Sequence, residues 1–160
     1  MSELVFLYGK KESIVALTVP CLVTAQSCMY TERKKVEEGD LFLVGQWDTG
    51  ATQTLASRGI IEALGLEPIG RKVNICGVNG KYESDTYLVD LHLPNGIVIN
   101  DIVIAEMNDE FGPTVLIGLD VILHSDFVIG SQVGKAILKF RYPCEGDKPF
   151  SAEAIEFPDN

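Results

Sequence analysis

The stretch Leu41-Phe42-Leu43-Val44-Gly45-Gln46-Trp47-Asp48-Thr49-Gly50-Ala51-Thr52 runs from an apolar segment directly into an acid, a hydroxyl and a glycine. An ordinary strand-to-turn transition would account for it, with Asp48 as the turn former and Gly50 taking a positive φ. Asp-Thr-Gly alone arises by chance in roughly one chain in thirty of this length. Its meaning depends on what surrounds it.

Downstream, Val115-Leu116-Ile117-Gly118-Leu119-Asp120 reads as a buried strand running into a glycine and a short helix over 119–124. Between the two elements, Gly77-Val78-Asn79-Gly80 tips a hairpin, because Asn79 and Gly80 both tolerate the positive φ of a type I′ turn. Apolar stretches recur at 4–8, 14–19, 41–47, 82–93, 97–105, 115–117, 127–129 and 136–140, separated by turn signals. Tyr87, Val89, Leu91 and Leu93 alternate onto one face, with Asp90 and His92 on the other. Pro94-Asn95-Gly96 turns the chain into the next strand. Besides 119–124, one other segment has helical spacing, Leu55 to Leu66, where Gly59 weakens a helix by about 1 kcal/mol relative to alanine. The pattern predicts an all-β domain with one or two short helices.

Composition narrows the function. At 160 residues the chain is sized for one domain. The 13 Lys and Arg against 23 Asp and Glu leave a net charge of −10, which repels phosphate backbones, so nucleic acid is not an expected partner. The one basic run, Arg33-Lys34-Lys35, is followed by Glu37 and Glu38 and reads as a solvated loop. No apolar run has the length of a membrane helix, and Lys10, Lys11 and Glu12 interrupt the best candidate, 4–23, which also lacks the marks of a signal peptide. A cytoplasmic location is the expectation, with no membrane partner. Cys21, Cys28, Cys76 and Cys144 show no ligand spacing, and with only His92 and His124 beside them no metal or cofactor is expected. All four are read as buried free thiols.

The three elements together, in this order, resemble the retropepsin-like aspartic peptidases. That family joins an apolar strand ending in Asp-Thr/Ser-Gly-Ala, a glycine-containing flap hairpin, and a later apolar-apolar-Gly-x-Asp/Asn segment. The resemblance spans about residues 41–141 and implies a closed β-barrel of the acid-protease type, one lobe per chain. The chain is divided into 1–40, N-terminal strands or an arm, 41–142, the peptidase domain, and 143–160, an acidic tail read as extended and flexible.

By that resemblance Asp48 is the catalytic acid, and Thr49 carries the hydroxyl that locks two active-site loops across a dimer axis. Gly50 leaves room for substrate backbone. Ala51, the flap tip Gly77, Val78, Asn79 and Gly80, and Ile117 contact substrate. Gly118 and Asp120 support the catalytic loop from behind. Trp47 is bulkier than the small or aliphatic residue usual before the acid, and is read as core or interface.

Chemistry then asks for two chains. Aspartic catalysis holds water between two carboxyls, yet none of the other aspartates lies in an Asp-Thr/Ser-Gly triplet; Asp85-Thr86 is followed by Tyr87. A homodimer supplies the second Asp48, and an extended peptide crosses the two-fold axis. The rival reading is a catalytically silent module of the same fold that dimerises or binds peptides. A cysteine peptidase and a glycosidase both fit worse, since neither explains the hairpin or the 115–118 strand.

Overall fold

Alternating burial along the strands is what folds this chain. In the computed structural model, residues 2–10, 16–25, 43–77, 80–107 and 114–156 are described. In order they form β1 (Ser2–Lys10), β2 (Thr18–Ala25), β3 (Leu43–Trp47), β4 (Leu55–Ser57), α1 (Arg58–Ala63), β5 (Lys72–Gly77), β6 (Gly80–Leu93), β7 (Ile97–Met107), β8 (Thr114–Ile117), α2 (Leu119–Ile122), β9 (Asp126–Gln132), β10 (Lys135–Tyr142) and β11 (Ala154–Glu156). The expected face of β6 is buried: Tyr87, Val89, Leu91 and Leu93 are each at most 6% exposed. Opposite them, Asp90 is also buried; its Oδ1 accepts the Asp101 amide at 2.9 Å where the β6–β7 register shifts.

The larger sheet runs β2-β3-β8-β4-β7-β6-β5, and β6 also pairs with β2. Those six strands therefore close into a barrel, with β5 attached outside to β6. Closure removes the free edges an open sheet would carry. β2 makes the closure possible by changing partners. Thr18–Cys21 pair with β3, whereas Leu22–Ala25 pair with β6. Pro20, which cannot donate to a ladder, sits in the half that has β3 alone beside it. This is why the strand extends past the expected 14–19, of which 14 and 15 lie outside the described residues.

The smaller sheet is β11-β1-β10-β9. Phe6, Leu138 and Phe140 bring its inner face against the barrel, in one core cluster with Trp47, Leu91 and Ile117. The residues before 41 thus contribute strands to both sheets, and β11 pairs in parallel with β1.

Arg141 is fully buried behind this sheet. Its Nε lies 3.1 Å from Glu3 Oε1 and its Nη1 3.4 Å from Asp126 Oδ2, while Nη2 donates to the Lys148 carbonyl at 2.6 Å. Glu3 Oε2 also accepts the Ser151 and Ala152 amides, and the Phe150 ring faces the guanidinium at 4.3 Å. These contacts hold 143–152 against the sheet.

Two sequence expectations are corrected. Leu55–Ser57 is strand, not helix, because β4 is wedged between β7 and β8 with all three residues buried. The helix begins only at Arg58, burying Ile60 and Ile61. Of the thiols, Cys21 is buried, but Cys76 and Cys144 are exposed; Cys28 lies outside the described residues. Cys76 stands on the outer hairpin β5–β6, and Cys144 follows the last long strand, its Sγ donating to Asp126 Oδ1 at 2.8 Å.

Candidate active site

β3 and β8 lie parallel and end side by side, with Trp47 level with Ile117. Each strand end is followed by one of the motif residues, Asp48 after β3 and Gly118 after β8. The Asp48 amide donates to the Ile117 carbonyl at 3.0 Å, which carries the ladder one residue further. The chain then turns. Gly50 N donates to Asp48 Oδ1 at 2.9 Å, and Ala51 N to the Asp48 carbonyl at 3.2 Å. These bonds fix both the backbone and one carboxylate oxygen of a half-exposed acid.

Gly50 is not in the left-handed region, contrary to the turn reading. A side chain there would meet Asp48 instead, since an added Cβ would lie 3.2 Å from Oδ1. Thr49 is exposed at the tip of the turn.

Behind the loop, Gly118 allows a very close approach of two backbones. A Cβ there would lie 2.7 Å from the Gln53 carbonyl carbon and 2.9 Å from the Ala51 oxygen. In that space Leu119 N donates to the Ala51 carbonyl at 2.8 Å. Asp120 ties the assembly together. Its Oδ2 accepts the Thr54 amide at 2.9 Å, and its Oδ1 accepts the Thr54 hydroxyl at 2.7 Å and the Val121 amide at 3.0 Å. The same hydroxyl accepts the Gly118 amide at 3.1 Å.

Thr54, 1% exposed, is therefore the central tie of the loop, and sequence reading passed over it. A threonine just ahead of an apolar strand was the available signal. Trp47 points the other way, its ring 5.2 Å from Phe127 and 4.8 Å from Phe140, inside the core.

Among solved structures, the chain aligns with a retropepsin-like aspartic protease from Rickettsia conorii over 86% of its own length and 90% of that chain, with 11% identity and a TM-score of 0.51. The fold is retropepsin-like. At that identity the likeness concerns the fold, and any chemistry must rest on the residues themselves. The retropepsin-like barrel also aligns with EIAV protease (21% identity, 68% of this chain and 86% of that one, TM-score 0.44). A third match is the retroviral protease-like domain of Ddi1 from Leishmania major (17% identity, 72% and 82%, TM-score 0.44). No protein-family model and no curated protein matches the sequence.

The hairpin expected around 77–80 joins β5 to β6. Gly77 pairs with Gly80, which takes φ 109°, a value suited to glycine alone. Val78 and Asn79 lie outside the described residues. A cavity of about 520 Å³ adjoins the loop, walled by Thr52 and Gln53, by Arg71 and Val73, and by Asp120 and His124. Among the described residues no helix is long and apolar enough to cross a membrane.

Proposed function

We propose that this chain is an aspartic endopeptidase that works as a homodimer, with one Asp48 from each copy forming the catalytic pair. The observation that carries the reading is the state of Asp48. It is a partly exposed acid at the end of a barrel strand, with one carboxylate oxygen oriented by Gly50 N and the loop tied to Gly118 and, through Thr54, to Asp120. A partly exposed carboxylate held in this way is suited to chemistry and contributes little to the core.

Two such carboxyls about 3 Å apart cannot both ionise cheaply, so the pair holds one proton between them. The ionised member takes a proton from the attacking water. The protonated member donates to the scissile carbonyl oxygen as the tetrahedral intermediate forms. Thr49, exposed beside each Asp48, locks the two loops across the axis. Gly50 and Ala51 leave space for substrate backbone, Ile117 underlies the site, and the hairpin from Gly77 to Gly80 closes over an extended peptide and excludes water. The cavity beside Thr52 and Gln53 receives a substrate side chain. A cytoplasmic location belongs to the same proposal.

Incubation with a mixed peptide pool at acid to neutral pH tests the reading. The unmodified protein is expected to cut peptides, and Asp48→Asn to lose essentially all turnover while keeping its fold by circular dichroism. Turnover that survives in Asp48→Asn removes the aspartic mechanism. Peptide binding without turnover in the unmodified protein favours the silent module instead. The ring of Trp47, the bulky residue ahead of Asp48, is turned into the core.

A further inference from the structure

No residue from Pro143 to Glu156 is buried, and none belongs to either core cluster. Apolar burial therefore does little to attach this segment. Its one strand, β11, is three residues long and exposed throughout. What fastens it is a pair of carboxylates on the body of the domain. Asp126 accepts the Cys144 thiol at 2.8 Å and the Glu145 and Gly146 amides at 2.9 and 3.1 Å. Glu3 accepts the Ser151 amide and hydroxyl at 2.8 and 3.1 Å and the Ala152 amide at 2.9 Å. Hydrogen bonds to an ionised acceptor are the strong ones, and each weakens when the acid takes up a proton.

Arg141 stands between the two acids. Strand register sets Glu3, Arg141 and Asp126 in line across β1, β10 and β9. The guanidinium is fully buried, and the segment roofs it with the Lys148 carbonyl and the Phe150 ring. Of the other charges at hand, Glu145 lies 3.9 Å from Arg141 and 2.9 Å from Lys148, Lys139 lies 5.8 Å from the Phe150 ring, and Lys135 lies 3.7 Å from Glu156. The His124 carbonyl accepts the Cys144 amide, while its ring turns to the Asp120 carbonyl.

We infer that Glu3, Asp126 and Arg141 form an acid-sensitive latch, through which acidification releases the segment from Pro143 to Glu156 while the barrel stays folded. Linkage gives the direction. The largest influence holding Glu3 below its ordinary value is the Ser151 amide, and for Asp126 it is the Cys144 thiol; both donors belong to the segment. An attached segment thus favours charged acids, and protons reciprocally favour a detached one. Attachment is complete above the ordinary carboxylate range and is lost as pH falls through the two depressed values. Arg141 turns this weakening into opening. Once its acids are neutral it is a lone buried charge, which is costly until the roof lifts and water reaches it. Detachment takes no residue out of a core cluster, so the barrel need not follow. It also leaves Val5, Phe6 and Leu7 of β1 with an unpaired side. The latch is independent of the peptidase reading.

Amide hydrogen exchange from pH 7 to pH 2.5, expressed as protection factors, tests it, with Trp47, the chain's only tryptophan, reporting on the core by fluorescence. Protection at Glu145, Gly146, Ser151 and Ala152 is expected to fall about tenfold or more below about pH 4, while β6 amides and Trp47 emission hold. At neutral pH, Glu3→Gln should speed exchange at Ser151 and Ala152, and Asp126→Asn at Glu145 and Gly146, each by about the same factor. Loss of protection in the segment and the barrel at one pH, in the unmodified chain, overturns the latch and makes the segment part of a single cooperative unit. So does a segment already unprotected at pH 7, or one that stays protected until Trp47 emission changes.

Discussion

Thr54 and Gly118 hold the candidate site together by opposite means, one through what its side chain bonds and the other through having none. The Thr54 hydroxyl both donates to Asp120 and accepts from Gly118 N, in a position 1% exposed. Thr54→Val keeps the shape but leaves the Gly118 amide and an Asp120 oxygen short of a partner. It is expected to lower stability by about 1–3 kcal/mol in urea unfolding and to reduce kcat more than KM. Gly118→Ala places a Cβ 2.7 Å from backbone that cannot step aside cheaply. An overpacking loss of about 1–3 kcal/mol is expected in the same measurement, with peptide cleavage abolished as the Asp48 loop is displaced. The importance of Gly118 was legible in the sequence, since it lay in a recognisable pattern. That of Thr54 was not, because its value comes from a bond to Asp120, sixty-six positions away.

At the scale of elements, the terminal sheet depends on buried charge. Glu3 is held below the usual carboxylate range, chiefly by the Ser151 amide, with further help from Ala152 and Arg141 and against the effect of burial. Asp126 is lowered as well, first by the Cys144 thiol and then by the Glu145 amide. A carboxylate whose folded value is depressed stabilises the fold above its unfolded value, and that stability is lost as pH falls through the folded value. The melting temperature is therefore expected to drop on acidification below about pH 4. Glu3→Gln should melt lower at neutral pH and show a shallower acid dependence, as read by circular dichroism. Arg141 finds its ion-pair partners, Glu3, Asp126 and Glu145, within its own chain. Sequence showed β10 as a strand but gave no sign of the ion cluster behind it, whose members come from both ends of the chain. Short β11 was missed for a related reason: a three-residue strand has no period to read.

For the whole molecule, the proposed mechanism makes activity a property of pairs. Specific cleavage activity is expected to fall on dilution as dimers dissociate, and mixing in an excess of the Asp48→Asn chain should suppress the unmodified one. Activity that is strictly proportional to protein concentration at all dilutions would contradict the shared pair. The rate should also fall on both the acid and the alkaline side, since one proton too many or too few disables a dyad.

Local pattern alone determined a good deal here. The two-residue period and apolar runs marked most of the strands, the glycines marked the turns, and Asp48-Thr49-Gly50 with Ile117-Gly118 marked two segments that the fold places side by side. Those signals survive in sequence because they are set by neighbours along the chain. The barrel's closure through β2, the strand at Leu55–Ser57 and the inward turn of Trp47 were decided only in three dimensions. Each depends on which distant strand lies alongside, and a burial or pairing partner far away in sequence leaves no periodicity behind.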